Sequence, residues 1–338
     1  MKGTALSLAV TWAAWLDLAC CFGPSLKMSC SQLVVDRIDP LVQPGIVGSA
    51  HLHQIVGGNS FNATMDPAAD PADKSSCTTC TFTDDFSNYW TAAMYFQARN
   101  GTYKRVKQLG ALFHEAARGG GITIYYFPPR KDATNIVAFK KGFRMRTGDP
   151  NARTAAEASR YQGIDYTCLL RDDTRYTNRS LTFPDHMCPE GILTTLYFPP
   201  CWDGVNLDSP DHYSHVSWPT EGDYEDGAPC PSTHPVKIPQ VVLEIRWDTR
   251  PFNSPDLWPK DGGQPFRWSF CDDVGYGSHG DYIFGWKGDS LATAFNRESC
   301  SDQLCGLPTQ EIPEANKCST TPMVDEDVEG WLETLPGM

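Results

Sequence analysis

The sequence predicts a mainly β protein: an antiparallel β-sandwich or jelly-roll-like single domain with long disulfide-braced loops and few short helices. Three observations carry that expectation. Structured runs are short, aromatic or β-branched, and bounded by Gly, Pro, Asn or Asp. The chain holds 28 glycines and 26 prolines, which favours many turns over long helices. Helical periodicity is scarce.

Among the expected strands, in order, are Tyr89–Phe96, Gly121–Phe127, Ile192–Phe198 and Val241–Trp247. Short helices are expected at Leu109–Arg118, Arg153–Tyr161 and Ala292–Arg297, with His114–Gly120 as a further helical candidate whose histidine reads as structural. No repeat and no Ser/Pro-rich linker divides the chain, so residues 29–306 read as a single β-rich domain. Residues 307–338 are rich in Pro, Glu and Thr and read as a loosely held acidic tail.

The first residues point outward from the cell. Lys2 precedes an apolar run from Gly3 to Ala19, followed by small residues and a proline, the pattern of a secretory signal peptide over residues 1–22. Thr11 and Asp17 interrupt the run, and a spanning helix needs about 20 apolar residues. Of the 13 cysteines, all but Cys20 and Cys21 lie beyond that leader, and in an exported chain they read as a disulfide framework. Their number is odd, which leaves one thiol unexplained. The close pair Cys77 and Cys80 reads as a structural disulfide, since it lies in no strand–helix unit of a redox motif. Three sequons, at Asn62, Asn100 and Asn178, predict exposed glycosylated loops. A net charge of −13 disfavours nucleic acid, and no basic amphipathic stretch suggests membrane docking.

Six of the eight histidines fall in polar, Gly/Pro/Asp-rich contexts. His51 and His53 stand two apart, so on a strand both imidazoles would share one face and could grip one metal or substrate. The stretch from Cys201 to Pro219 holds Asp203, Asn206, Asp208, Asp211, His212 and His215. His234 follows Cys230, and His279 and Asp281 lie in a glycine-rich loop. Histidine exchanges protons near neutral pH, and a neighbouring carboxylate fixes its tautomer. Against this, loop histidines and aspartates often only cap turns. For a divalent metal, His51, His53 and His215 are the candidate ligands. No His-Glu-x-x-His, Gly-x-Ser-x-Gly, phosphate-binding or dinucleotide motif occurs.

The segments "RIDPLVQPGIVGSAHLHQIVGGNSF", "SSCTTC", "GFRMRTGDP", "FPPCWDGVNLDSPDHYSHVSWP", "CPSTHPVKIP" and "GSHGDYIFGW" stand in an order that resembles the fungal secreted family termed domain of unknown function nineteen-ninety-six. The resemblance runs from Met28 to about Trp286. It implies a shared site at His51, His53, His212, His215, His234 and His279, and it does not name a reaction.

The leading functional expectation is a secreted carbohydrate-active enzyme, a hydrolase or lyase cleaving an extracellular polysaccharide. His212 or His215 would act as acid or base with Asp208 as partner. His51, His53, His234, His279 and Asp281 would complete the catalytic cluster. Trp202, Asp203, Asn206, Trp218 and Trp286 would bind the sugar. The alternatives are a non-catalytic cell-wall glycan-binding protein, whose surface would add Trp247, and a metal-binding secreted protein.

Overall fold

The computed structural model describes residues 25–110, 119–128, 137–171, 178–222, 227–295 and 305–338. The signal-peptide reading and most of the helix expected at Leu109–Arg118 lie outside them. In chain order the strands begin with β1 (Leu26–Asp36), β2 (His53–Gly57), β3 (Asn88–Ala92), β4 (Met94–Gln97), β5 (Tyr103–Arg105), β6 (Gly121–Phe127), β7 (Arg144–Gly148) and β8 (Ile164–Cys168). They continue with β9 (Ile192–Tyr197), β10 (Cys201–Trp202), β11 (Val216–Ser217), β12 (Val236–Lys237), β13 (Gln240–Trp247), β14 (Phe266–Trp268), β15 (His279–Ile283) and β16 (Trp331–Leu332).

Nine strands form one antiparallel sheet in the order β7-β15-β3-β2-β1-β6-β13-β9-β8. Its bend is at β1. The first half of that strand pairs with β6 and the second half with β2, and a register shift between Gln32 and Val34 marks a bulge at the changeover. The two halves of the sheet therefore face each other across one core. Gly280 of β15 lies so close to Leu196 of β9 that a Cβ there would stand 2.9 Å from the leucine Cδ1. The Tyr126 and Tyr282 hydroxyls meet at 3.0 Å across the same gap, and the Trp286 indole N–H donates to Tyr126 at 3.0 Å. This is a sandwich made by folding one sheet on itself.

Strand alternation sorts the second half of the sheet into two faces. Val56, Tyr89, Tyr282 and Met145 point into the main core. Ile55 and Trp90 point outward, yet they too are buried, because Ile38 and Leu41 from the loop before β2 and Phe61 and Ala63 from the loop after it pack over them. The outer face is thus roofed by a second, smaller core.

Two expectations are corrected. The run Tyr89–Phe96 is not one strand: it breaks at Ala93, and β4 leaves for a separate sheet in the order β14-β4-β5-β16. The segment after 307 is not a loose tail. Cys318 is bonded to Cys77, Ile312 and Leu335 are buried, and Trp331 and Leu332 pair with Lys104 and Tyr103. A disulfide and two buried apolar anchors outweigh its polar composition.

Helices are short, as expected. Ala155–Ala158 starts at a capping box in which Thr154 and Glu157 satisfy each other's backbone N–H groups, and Ser290–Phe295 covers the described part of the third expected helix. The disulfides among the described residues are Cys30–Cys80, Cys77–Cys318, Cys168–Cys188 and Cys201–Cys230. Cys77 and Cys80 are structural, but each pairs with a distant partner and not with the other. Cys305 is also disulfide-bonded, and Cys271 is a free, exposed thiol that accounts for the odd number. No helix among the described residues is long and apolar enough to cross a membrane.

Candidate metal centre

The sheet brings two histidines together from positions far apart in the chain. His53 opens β2 and stands opposite Ala92 of β3. Gly280 of β15 stands opposite Thr91, so His279 comes one position further on, beside Ala92 from the other side. Residues in register share a face. The two imidazoles therefore rise on the outer face from the strands on either side of β3, and their ring centroids are 6.1 Å apart. His51 lies just before β2 and folds over them, at 4.4 Å from the His53 ring and 5.1 Å from the His279 ring. Gly148 ends β7 opposite His279 with φ +80°, and a Cβ there would fall 2.2 Å from the Ser278 carbonyl oxygen. Glycine is required for β7 to approach His279 this closely.

The hydrogen bonds fix the tautomers. His53 Nδ1 lies 3.2 Å from the Ile38 carbonyl oxygen, and His279 Nδ1 lies 2.9 Å from that of Gly277. A carbonyl only accepts, so in neutral rings both Nδ1 atoms carry the proton and both Nε2 atoms present lone pairs. His51 Nε2 is 3.1 Å from His279 Nε2 and must donate to it. His53 Nε2 is buried and has no hydrogen-bond partner.

Burial keeps the rings neutral. It pushes His53 and His279 down to about 4, in His279 with help from His53 nearby. His51 is held well below its usual value by burial first and then by the other two rings. The three ligand nitrogens lie within 4.8 Å of one another. Neutral imidazoles with Nδ1 anchored on carbonyls and Nε2 converging are what a transition metal takes, at about 2.0–2.1 Å per nitrogen for zinc. To join them, His51 needs only to exchange its Nε2 proton for one on Nδ1. The residues fit an ion.

Two carboxylates stand close by. Asp39, on the roofing loop, uses Oδ1 to accept the Leu41 and Val42 N–H groups, and its Oδ2 is 4.0 Å from His53 Nε2. Burial raises its pKa, against the pull of those two N–H groups. Asp281 lies two residues along β15 from His279, on the same face and 1 % exposed. Phe270 closes one side, its ring edge-on to His51 at 4.9 Å. Asp39 and Phe270 escaped the sequence reading. Asp39 alone left a trace there, as the acid of "RIDP" at residues 37–40.

The other predicted residues are placed elsewhere. His215 is not the third nitrogen: its Nε2 is 2.7 Å from the Arg144 carbonyl oxygen and its Nδ1 is 2.8 Å from Ser209 Oγ, so both ring nitrogens are taken. His234 is held likewise by the Ser214 carbonyl and Thr233 Oγ1. Asp203 accepts from the Val205 and Asn206 backbone and from the Asn206 side chain, which makes it a turn residue. Trp202, Trp218 and Trp286 are not a sugar-stacking surface. They are 3 %, 6 % and 1 % exposed, with indole N–H groups bonded inside to the Asn206 carbonyl, Tyr213 and Tyr126. Trp247 is fully buried as well.

Asp208 and His212 do form a pair, at 2.6 Å between Oδ1 and Nδ1. His212 has φ +53°, a left-handed conformation that a non-glycine residue seldom adopts. Their loop is attached to the free edge of β7, where the Arg144 and Arg146 N–H groups donate to the Leu207 and His212 carbonyls. It therefore borders the strand next to His279.

No curated protein and no solved structure matches the chain. The family model described as Domain of unknown function (DUF1996) matches residues 39–286, a span that opens at Asp39 and contains all three converging histidines and Asp281. The chain belongs to the DUF1996 family.

Proposed function

We propose that this protein is a secreted, N-glycosylated metalloprotein that binds one divalent first-row transition ion through His51, His53 and His279. The observation that carries the reading is the convergence of three buried, neutral imidazole nitrogens within 4.8 Å, two of them oriented by backbone carbonyls. Three nitrogen ligands leave a position open for water or substrate, the arrangement of a Lewis-acid centre. The disulfides, and the exposure of Asn62, Asn100 and Asn178, support an extracellular setting. Elemental analysis of the purified protein after exposure to zinc, copper or manganese should give one ion per chain, lost in the His51→Ala/His53→Ala double variant. A wild-type protein that retains none sinks the reading.

Cleavage of an extracellular polysaccharide is the second reading. Its support is the Asp208–His212 pair, whose Nε2 makes no hydrogen bond to the described residues and so is free to exchange a proton. Incubation with a panel of wall polysaccharides, with each metal added, tests it; no released sugar with any of them counts against it.

A further inference from the structure

Asp281 is buried to 1 % exposure, and neither carboxylate oxygen has a hydrogen-bond partner in the protein. A buried carboxylate left unpaired is among the least favourable arrangements a fold can contain. The surroundings offer it little. Arg146 stands opposite on β7 and its charge reaches Asp281, but its Nε and Nη1 donate to the Asp211 and Gly148 carbonyl oxygens and none of its N–H groups bonds to the carboxylate. Trp90 stands opposite on β3, on the same outer face. Its indole N–H is fully buried and also without a partner. His53 Nε2 is the third unpartnered group of this patch. An acceptor pair, a donor and a lone pair, all buried, lie on two adjacent rows of the sheet face on which the imidazoles converge. The nearby Asp39 adds a second acidic group to the patch.

We infer that Asp281 is the anionic partner of the ion held by the three histidines. Its carboxylate lies outside the set of nitrogens within 4.8 Å of one another, so it acts from the outer shell: it balances the ion's charge and accepts a hydrogen bond from water bound there. When the ion is bound, the Trp90 indole N–H, unpartnered without it, turns to the same carboxylate from the opposite strand. This assignment rests on the proposed three-histidine centre and adds to it a carboxylate that no ligand spacing reveals. It also explains why two polar side chains of a roofed, apolar face are left unpaired by the protein itself.

The test is chelator competition with Zn2+ and Co2+ on wild-type protein and Asp281→Asn. The variant should bind both ions about 10- to 100-fold more weakly, and its cobalt spectrum should still report nitrogen ligation. Without metal it should be at least as stable as wild type, since it loses no protein hydrogen bond. A second measurement needs no variant at the acid: the Trp90 indole proton resonance, identified by its absence in Trp90→Phe, should shift when Zn2+ is added to wild type. Wild-type affinity in Asp281→Asn, or an unmoved Trp90 signal on a metal-loaded protein, overturns the role of Asp281. A wild-type protein that binds neither ion overturns the three-histidine centre instead, so the two failures are told apart.

Discussion

Replacing His53 by glutamine should flatten the acid side of the metal-free protein's stability profile. In the unfolded chain this imidazole takes up a proton near pH 6.5, whereas in the fold burial delays uptake to about 4. Between those values the unfolded state binds more protons, so the folded state loses stability as pH falls through the window. The gap is about two and a half pH units at about 1.4 kcal/mol each, or about 3 kcal/mol for His53. The side chain is fully buried, so solvent does not screen the effect. Guanidinium unfolding followed by tryptophan fluorescence, with chelator present at pH 7 and pH 4, measures it. Wild type should lose about 3 kcal/mol more than His53→Gln over that interval. Groups remote from the cluster titrate alike in both proteins and cancel; His51 and His279, which His53 helps to hold down, add to the difference in the same direction. Equal losses would refute the claim that this ring is held neutral by burial, and with it the readiness of its lone pair for a metal.

Gly148→Ala should weaken metal binding about tenfold or more, because a methyl group 2.7 Å from the His279 Cα displaces that ring from the other two. Chelator competition checks it, and wild-type affinity in a folded variant would show that His279 is not held in place from β7. Native protein should react with one equivalent of a thiol reagent, lost in Cys271→Ser, because Cys271 is the free, exposed thiol of the described residues. Labelling that survives the substitution would place the unpaired cysteine elsewhere.

The sandwich was legible because its strands are short apolar runs ended by turn residues, and local chemistry of that kind does not depend on distant partners. The His51–His53 pair was legible for the same reason. The third nitrogen was named only as one of several site candidates, with nothing to join it to that pair. His279 joins through the register of β2, β3 and β15, 228 residues away from His51, and spacing along the chain carries no information about register. His215 looked equally good in the sequence, yet one backbone carbonyl and a serine consume its nitrogens. The tryptophans misled for a physical reason. An indole that bonds its N–H internally is a large apolar filler, and composition cannot tell such a ring from one that faces a sugar.

The crossed pairing of Cys77 and Cys80 imposes an order on assembly. Cys30 and Cys80 are held together by backbone bonds between Ser31 and Thr79 and between Thr81 and Ser29, all available once the first hundred residues exist. Cys77 must wait for a partner 241 residues later, roughly 10–50 s at ordinary elongation rates. Throughout that interval its thiol sits three positions from Cys80 and competes with Cys30 for it. Success depends on the early clasp closing faster than the local loop. A chain that stops short of Cys318 would keep a reactive thiol at Cys77, a chemical mark of an unfinished molecule that a thiol-based quality check can read.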